Sequence, residues 1–398
     1  MTQTALQGTI ALADWARTMT RSAMQDALAE ASGPGIISFA LGLPAPELFP
    51  SELLARAVTR VLATDGYALQ YQPAFQPLKA HIVAMMAWRG VACGEQQVFL
   101  TTGAQQAMAL LARLLLNPGG QVIAEDTIYS GFQQVIEPFQ PAILTVPTDM
   151  DTGMDVDAVQ ALLAGGARPA FIYAVTDGHN PLAVSMSPGK RARLVELAQE
   201  YGVPIMEDDA YGFLCYEDTP VPPMRALDEH WVFYLGSFSK ILAPSLRVGW
   251  MVVPEPLIAP LSAIKEASDI NTSTLTQRTI SAYLDGGHLP EHVETLRREY
   301  RIRRDAMLDA LRRHMPAGAR WRTPSNGLFI WAELPAGIDT GELLRLAIAE
   351  EKVAFIPGHA FGVGGSRRAA NCLRLNFSNC TPERIEEGMA RLARVLAR

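Results

Sequence analysis

The stretch Tyr234-Leu-Gly-Ser-Phe-Ser-Lys240-Ile-Leu-Ala-Pro-Ser-Leu-Arg247-Val-Gly-Trp250 is the most informative part of this 398-residue chain. Residues 232–235 form a β-branched and aromatic run that predicts a buried strand, and residues 248–253 form a second apolar run. Between the two runs lie two serines, Lys240 and Arg247. A lysine between two core strands is costly unless its charge is paired or its amine is used. The alternative is a loop lysine that reaches solvent.

The residue types in this segment favour a covalently held aldehyde. A lysine removed from water can lose its proton and condense with an aldehyde, which is how pyridoxal 5′-phosphate (PLP) is held in proteins. The hydroxyls of Ser237 and Ser239 and the guanidinium of Arg247 are suitable ligands for the phosphate of that cofactor. We therefore predict that Lys240 binds PLP.

Length and composition indicate an ordinary globular protein. The chain has 49% hydrophobic and 19% charged residues, and its length allows two domains and a large core. A formal net charge of −7 argues against a nucleic-acid partner, which normally needs a basic surface. The cysteines lack zinc spacing, no apolar stretch is long enough for a membrane span, and the N-terminus lacks a signal-peptide pattern. We expect a cytoplasmic protein without a metal site or a membrane partner.

Alternation of strand, loop and helix between residues 97 and 253 predicts an α/β fold. Such alternation implies a mostly parallel central sheet covered by helices on both faces. The predicted strands are Val98–Leu100, Val122–Ala124, Ala170–Ala174, Val203–Met206, Val232–Leu235 and Val248–Val253.

The regions on either side of this sheet have different patterns. Strands at 327–331 and 372–377 with helices at 340–351 and 382–397 predict a smaller α+β domain. The arginine-rich helical region at 257–315 is interpreted as having a solvated arginine face, and residues 9–32 as a helical arm. We expect an N-terminal arm and part of the small domain at 1–60, a large PLP-binding domain at 61–285 and a small C-terminal domain at 286–398.

Polar residues follow several of the predicted strands, and ligands of open parallel sheets bind beyond the carboxyl ends of the strands. Gly103, Ala104 and Gln105 open a helix, whose N-terminus is a favourable phosphate site; an ordinary turn is the alternative. Tyr129 is placed to stack on a flat ring, unless it is a core tyrosine. Asn180, fixed ahead of a proline, is a donor for a phenolate oxygen.

Acidic residues end the next strand, at Glu207-Asp208-Asp209. A buried carboxylate needs a cationic partner, and a protonated pyridine nitrogen is one; a water-facing acidic loop is the alternative. Arg374 lies inside an apolar strand, which favours bidentate capture of a carboxylate. A structural buried ion pair is the competing interpretation. His179 is expected to be a hydrogen-bonded loop histidine rather than a catalyst.

These residues, in this order, resemble the fold-type I PLP enzymes. Within them they are similar to the class I and II aminotransferases, and most of all to the 2-aminoadipate and kynurenine aminotransferase branch. The motifs that carry the resemblance are Ile37-Ser-Phe-Ala-Leu-Gly-Leu-Pro, Leu69-Gln-Tyr, Thr102-Gly-Ala-Gln-Gln, Tyr129-Ser-Gly, Asn180-Pro, Glu207-Asp-Asp-Ala-Tyr, Gly236-Ser-Phe-Ser-Lys, Leu246-Arg-Val-Gly-Trp and Leu373-Arg-Leu-Asn-Phe-Ser.

The resemblance implies a role for each candidate residue. Lys240 forms the imine with the cofactor aldehyde, Asp208 pairs the pyridine nitrogen, Tyr211 and Asn180 bond the phenolate oxygen, and Tyr129 stacks on the ring. The phosphate ligands are Gly103, Ala104, Gln105, Ser237, Ser239 and Arg247. Tyr71 reaches the phosphate of the neighbouring subunit, which implies a homodimer with shared active sites. The substrate side includes Arg374, Asn180, Gly42 and Gln25.

The implied activity is transfer of an amino group between an L-amino acid and a 2-oxo acid by a ping-pong mechanism. The family pattern asparagine-proline-threonine-glycine is Asn180-Pro-Leu182-Ala183 here, and the chain also departs from the pattern at Leu41 and at 72–76. These departures leave a second reading open, in which a PLP-dependent lyase or β/γ-replacement enzyme acts on a substrate such as S-adenosylmethionine. Gln25 stands where the aminoadipate branch has an arginine, which argues against recognition of an acidic side chain. A third reading, a PLP-sensing regulator, is disfavoured because few residues precede the first motif.

Overall fold

The computed structural model of the protein describes residues 11–18, 33–217, 220–366 and 369–397. The strands are β1 (Ile37–Ser38), β2 (Val98–Thr101), β3 (Gln121–Glu125), β4 (Ala142–Val146), β5 (Thr148–Asp149), β6 (Gly153–Met154), β7 (Ile172–Val175), β8 (Ile205–Asp208), β9 (Val232–Ser237), β10 (Gly249–Val252), β11 (Arg320–Trp321), β12 (Phe329–Glu333), β13 (Val353–Ala354), β14 (Ile356–Pro357) and β15 (Cys372–Asn376). The α-helices are α1 (Asp14–Thr18), α2 (Ser51–Thr64), α3 (Gln76–Trp88), α4 (Ala104–Leu115), α5 (Ser130–Ile136), α6 (Val156–Ala164), α7 (Pro188–Tyr201), α8 (Ile258–Asp269), α9 (Thr274–Leu284), α10 (Leu289–His314), α11 (Thr340–Leu346) and α12 (Pro382–Leu396).

A seven-stranded sheet in the order β2-β10-β9-β8-β7-β3-β4 forms the centre of the protein. The pairs from β9 to β4 are parallel, whereas β10 is antiparallel to both of its neighbours. The mostly parallel sheet predicted from the sequence is therefore confirmed. The sequence analysis missed β4, an edge strand that is partly exposed and lacks a continuous buried run.

Helices cover both faces of this sheet, which explains why its strands are apolar throughout. Every residue of β7, β8 and β9 is buried. On one face Met108 and Leu111 of α4 pack with Phe132, whose ring stacks on Tyr173 at 3.7 Å between centroids. Burial of each such side chain stabilises the fold by roughly 1.5–3 kcal/mol. The result is a rigid platform whose carboxyl edge holds the ends of β2, β3, β7, β8 and β9.

A smaller antiparallel sheet, in the order β11-β12-β15-β14, lies in the C-terminal part of the chain. Strand β1 pairs in parallel with β13, so the segment after residue 36 joins the C-terminal region. The interpretation of a solvated arginine face is wrong for Arg303 and Arg304 of α10, which are buried. Arg303 Nη2 donates to Glu47 Oε1 at 2.6 Å, and Arg304 Nη1 donates to the Pro324 carbonyl at 2.9 Å.

Of the arm predicted at 9–32, the described part includes the short helix α1. Across the ranges that the structure describes, no helix combines the length and the apolar character needed to cross a membrane.

Candidate active site

A cavity of about 320 Å³ lies at the carboxyl edge of the large sheet. Its volume is within the range of roughly 300–1,000 Å³ that is usual for small-molecule sites. Most of the residues predicted from the sequence line it. They are Gly42, Ala104, Gln105, Tyr129, Asn180, Asp208, Tyr211, Ser237, Ser239, Lys240, Arg247 and Arg374.

One wall of the cavity is a polar cup formed where three segments meet. Gly249 at the start of β10 pairs with both Ser237 on β9 and Thr101 on β2. The Ser237 and Ser239 hydroxyl oxygens lie 3.0 Å apart. The N-terminus of α4, which begins at Ala104, adds backbone N–H groups and the positive end of the helix dipole. Hydroxyl and amide donors of this kind suit a phosphate.

Gly103 shapes the cup without lining the cavity itself. Its φ of +85° is favourable for glycine, and a Cβ at this position would lie 2.8 Å from Arg247 Nη2. The Arg247 guanidinium in turn donates to the Thr102 carbonyl at 3.1 Å. A glycine is therefore required at position 103 so that the arginine can reach the end of α4.

Lys240 lines the same cavity, and its Nζ donates to the Gly42 carbonyl at 2.7 Å. Gly42 is closely covered, because a Cβ there would lie 2.8 Å from the Phe329 ring. Burial, together with the positive charges of Arg374 and Arg247, lowers the pKa of Lys240 to about 8. Roughly one lysine in ten is then neutral at pH 7, far more than for a lysine in water. The amine is thus able to act as a nucleophile and as a base.

Asp208 enters the cavity from the end of β8. Its Oδ2 accepts a hydrogen bond from the Tyr173 hydroxyl at 2.8 Å, and its Oδ1 is buried with no hydrogen-bond partner in the described part of the chain. Burial raises the pKa of Asp208 to about 6, while the Tyr173 hydrogen bond acts in the opposite direction. A buried oxygen without a partner costs about 1–3 kcal/mol, so this atom favours a ligand with a charged N–H group. The water-facing loop proposed as an alternative is wrong, because Glu207 and Asp209 are buried as well.

Arg374 on β15 closes the other end of the cavity. Its Nη1 donates to Asn180 Oδ1 at 2.6 Å and its Nη2 donates to the Ala40 carbonyl at 2.7 Å. The guanidinium carbon lies 4.1 Å from the centroid of the Phe329 ring and 4.9 Å from that of Phe361. Burial lowers the pKa of Arg374 to about 10.

The buried ion pair considered as the alternative for Arg374 is wrong, since the described partners of its two Nη atoms are an amide oxygen and a backbone carbonyl, and its Nε has no described partner. The sequence analysis missed the two rings that hold the guanidinium. Phe329 lies in a predicted strand and Phe361 in a segment with no predicted element, and neither position carries a local motif that marks it as an arginine contact.

Two tyrosines complete the walls of the cavity. Tyr129 precedes α5, and Tyr211 follows β8 with its ring edge-on to Phe329 at 5.9 Å between centroids. Burial raises the pKa of both phenols, so each remains an O–H donor at neutral pH. Tyr173, which the sequence analysis did not single out, acts on the site through Asp208.

Besides Gly103, one described residue of the predicted site, Tyr71, does not line this cavity. Tyr71 is 78% exposed and lines a separate depression with Lys265 and Asn271. Gln25 lies outside the described residues. The altered motif positions Leu182 and Ala183 are buried within the loop that carries Asn180.

Comparison with known proteins identifies the family. The family model described as aminotransferase class I and II matches residues 48–392. The chain belongs to the class I and II aminotransferases. It is 38% identical to aromatic-amino-acid aminotransferase 1 of Thermococcus litoralis, over 95% of this chain and 92% of that protein. It is also 38% identical to the 2-aminoadipate transaminase of Thermus thermophilus, over 94% of each chain.

Solved structures of aminotransferases share the whole fold. The multiple substrate aminotransferase of Thermococcus profundus superposes with a TM-score of 0.90 at 36% identity, covering 97% of each chain. The α-aminoadipate aminotransferase of Thermus thermophilus, solved with N-(5′-phosphopyridoxyl)-L-leucine, superposes with a TM-score of 0.89 at 37% identity, also covering 97% of each chain. The expected family, fold-type I class and aminotransferase activity, with PLP as the cofactor, are confirmed, and the lyase reading is not favoured.

The residues present fit that cofactor. The free Oδ1 of Asp208 matches a pyridinium N–H group, and the cup at the start of α4 matches a phosphate. The Lys240 amine lies in the same cavity as both.

Proposed function

We propose that this aminotransferase acts on L-amino acids with uncharged side chains, using Lys240 to hold the cofactor and to move the α proton. The observation that carries the proposal is the arrangement of one cavity, in which Lys240 lies among the Asp208 carboxylate, the serine-lined cup and the Arg374 guanidinium. Beyond these groups, the described walls of the cavity are mostly apolar.

When bound, PLP supplies an aldehyde that joins an amino group and a ring that withdraws electrons from the substrate α carbon. Asp208 would accept the ring N–H through Oδ1 and keep the proton on that nitrogen, because Tyr173 already occupies Oδ2. Ser237, Ser239, Arg247 and the N-terminus of α4, with Gly103, Ala104 and Gln105, would hold the phosphate. Tyr129 would lie against the ring.

Arg374 would bind the α-carboxylate of the substrate. Its Nη1 donates to Asn180 Oδ1, so the Nδ2 group of Asn180 remains a donor for the phenolate oxygen, together with the Tyr211 hydroxyl. Once the substrate amine has displaced it, the Lys240 amine would take the proton from the substrate α carbon. It would then deliver the proton to the cofactor carbon that carried the aldehyde. A pKa of about 8 suits a group that must both accept and return a proton near neutral pH.

The substrate class follows from the charges in the cavity. The charged residues that line its described walls are Asp208, Lys240, Arg247 and Arg374, and each has a role above. No cation remains on those walls for a second carboxylate. The rest of the substrate side includes Leu41, Leu43 and Phe329, and an unpaired carboxylate against such groups is costly. An apolar or aromatic side chain is the better match.

We also propose that the protein is a homodimer in which Tyr71 reaches the partner's phosphate site. Tyr67, Leu69 and Tyr71 are 65%, 78% and 78% exposed, and Ile270 is 59% exposed. Asn271 Nδ2 donates to the Gln72 carbonyl at 2.6 Å, which holds this segment in place. Apolar side chains clustered on a surface favour burial against another protein.

Two further assignments belong to the proposal. Residues 61–285 would form the PLP-binding domain, and residues 286–398 would form the smaller domain with part of 1–60; the β1–β13 pairing supports the assignment of the N-terminal segment. We place the enzyme in the cytoplasm, in keeping with its four free thiols, which are Cys93, Cys215, Cys372 and Cys380.

A single-turnover assay tests the proposed substrate class. The PLP-loaded enzyme is mixed with L-norleucine or L-2-aminoadipate, which differ by a methyl and a carboxylate at the end of the same chain. We expect pyridoxamine phosphate with both, and a second-order rate constant at least about tenfold higher for norleucine, because tenfold is ~1.4 kcal/mol and an unpaired carboxylate costs more. Preference for L-2-aminoadipate would contradict the substrate class, and absence of pyridoxamine phosphate would contradict transamination.

A further inference from the structure

The loop that carries Asn180 is closed by its own hydrogen bonds. The Val184 carbonyl accepts from the His179 N–H at 2.9 Å, and the His179 carbonyl accepts from the Ala183 N–H at 2.6 Å. The His179 ring adds a third bond, because its Nδ1 accepts from the Leu182 N–H at 3.3 Å. The ring is 1% exposed and thus lies inside the turn.

A buried acidic residue holds the other side of this ring. His179 Nε2 lies 2.9 Å from Glu125 Oε2 at the end of β3, and Glu125 Oε1 accepts from the Thr148 hydroxyl at 2.6 Å. The short Nε2–Oε2 contact is not aligned as an ideal hydrogen bond, so close approach rather than a well-formed hydrogen bond holds the pair. Since Nδ1 is an acceptor, the ring proton belongs on Nε2, which is the nitrogen that faces the carboxylate.

The turn needs this support because of its own sequence. The related motif has threonine and glycine at positions 182 and 183. Leu182 has no hydroxyl to offer the turn a side-chain hydrogen bond. Ala183 has φ of +59°, a left-handed conformation that favours glycine. Both substitutions weaken the local preference for the turn.

We propose that His179, held by Glu125 and Thr148, is a positioning residue that fixes Asn180 and, through it, Arg374. The imidazole Nδ1 holds the Leu182 amide and so sets the position of Asn180 two residues earlier. Asn180 Oδ1 then accepts from Arg374 Nη1 at 2.6 Å, which orients the guanidinium. The inference rests on the proposed function, from which Asn180 and Arg374 take their roles.

A matched pair of variants separates this role from simple packing. In His179→Asn the side-chain oxygen replaces Nδ1 as the acceptor for the Leu182 N–H. In His179→Gln the amide replaces Nε2 near Glu125 and the Nδ1 acceptor is lost. We expect His179→Asn to retain most of the wild-type behaviour, with a partial loss because its shorter side chain no longer reaches Glu125. We expect His179→Gln to raise the apparent dissociation constant for L-norleucine in single turnover about tenfold, the effect of one lost buried hydrogen bond, with a smaller change in the limiting rate.

Absorbance of the bound cofactor gives a second reading that does not depend on turnover. In His179→Gln the donor to the phenolate oxygen is displaced, so the midpoint of the absorbance titration with pH moves upward, and in His179→Asn it moves less. Equal effects of the two variants, or a change in melting temperature with both constants unaltered, would overturn the proposal.

A third variant keeps the test open if neither His179 variant folds. Glu125→Gln has the same shape and is expected to shift the titration midpoint in the same direction as His179→Gln; an unchanged midpoint would overturn the proposal. Failure of the proposed function is distinguishable, because it would appear in the wild type as the absence of a Lys240-linked cofactor after borohydride reduction.

Discussion

Asp208 and Asp209 are neighbours in sequence at the end of β8, yet they face opposite environments. Asp209 Oδ2 accepts from Arg89 Nη2 at 3.1 Å, and the same nitrogen contacts Asp177 at 2.8 Å. Arg191 pairs with the other oxygen of Asp177 at 2.8 Å. The Oδ1 atoms of both residues are buried without a hydrogen-bond partner in the described part of the chain, but Asp208 has no described cation in contact, so the difference between the two lies in the cations.

The difference separates the scaffold from the site. The four residues Arg89, Asp177, Arg191 and Asp209 form a buried ionic cluster in which charge is compensated within the protein. The cavity residues keep uncompensated charge for a ligand instead. Buried charge is therefore compensated in the ionic cluster that contains Asp209, whereas in the cavity that contains Asp208 it is available to a ligand.

Among the substitutions in the two regions, Lys240→Ala should have the largest effect. We expect turnover to fall by at least about 10⁴-fold, since both the proton carrier and the covalent link are lost. The free energy of unfolding should not fall, because burial disfavours the lysine's charge. Steady-state kinetics and urea unfolding measure the two effects. Lys190→Ala is the matched control, because Lys190 Nζ also donates to a backbone carbonyl, that of Gly153 at 2.9 Å, but lies away from the cavity. Ordinary turnover by Lys240→Ala would refute the assignment.

Removing one member of the ionic cluster should lower the free energy of unfolding, which Lys240→Ala should not do. Arg89→Met leaves Asp177 and Asp209 buried with less compensation, and we expect a loss of about 3–5 kcal/mol in the free energy of unfolding. Urea unfolding of the cofactor-free protein measures it. Arg345→Met is the control, because the Arg345–Glu342 pair is exposed and screened by solvent, so that its loss should change stability little. A similar loss in both variants would mean that the cluster is no stronger than a surface pair.

Asp208→Asn tests how the Asp208 carboxyl affects the pH dependence of folding stability. The pKa of Asp208 is about 6 in the folded protein, above the roughly 3.9 of an unfolded chain. The native carboxyl therefore retains its proton where the unfolded one has lost it, so the wild type loses stability as the pH rises from 4 through 6. We expect Asp208→Asn, without cofactor, to be more stable than the wild type by roughly 2–3 kcal/mol at pH 7.5, with the gain vanishing near pH 4.

Denaturant titrations at both pH values measure the effect. Glu200→Gln, at an exposed position of α7, serves as the control for general loss of negative charge. A gain for Asp208→Asn that did not depend on pH would exclude titration of this carboxyl as its cause.

The smallest expected effect concerns the turn beside the site. Ala183→Gly relieves a left-handed conformation that costs an alanine about 1–2 kcal/mol, and the greater freedom of the unfolded chain takes back part of that gain. We expect a net gain of about 0.5–1 kcal/mol in thermal or urea unfolding. Ala161→Gly, in the ordinary helical backbone of α6, should instead lose about 1 kcal/mol. A loss at both positions would show that the φ of Ala183 is not a source of strain.

The sequence predicts most of the large sheet and the groups that lie on short motifs. Lys240 and Arg247 are separated by a single turn, and Asp208 directly follows an apolar run, so local pattern and strand-end position were sufficient for them. Phe329 and Phe361 were missed because they meet Arg374 only through pairing of segments far apart in the chain. Arg303 was misread as solvated because the carbonyl and carboxylate that it binds are likewise distant in sequence.

The single reversed strand in the large sheet has a consequence for how the enzyme tolerates change. Because β10 returns beside β9, residues 238–248 form a hairpin connection that never leaves the carboxyl edge. Its length alone sets how far the amine and the guanidinium stand from the helix that opens at Ala104. A one-residue insertion or deletion there would change the spacing between Lys240 and Arg247, so we expect this loop to tolerate exchanges of side chains better than changes of length.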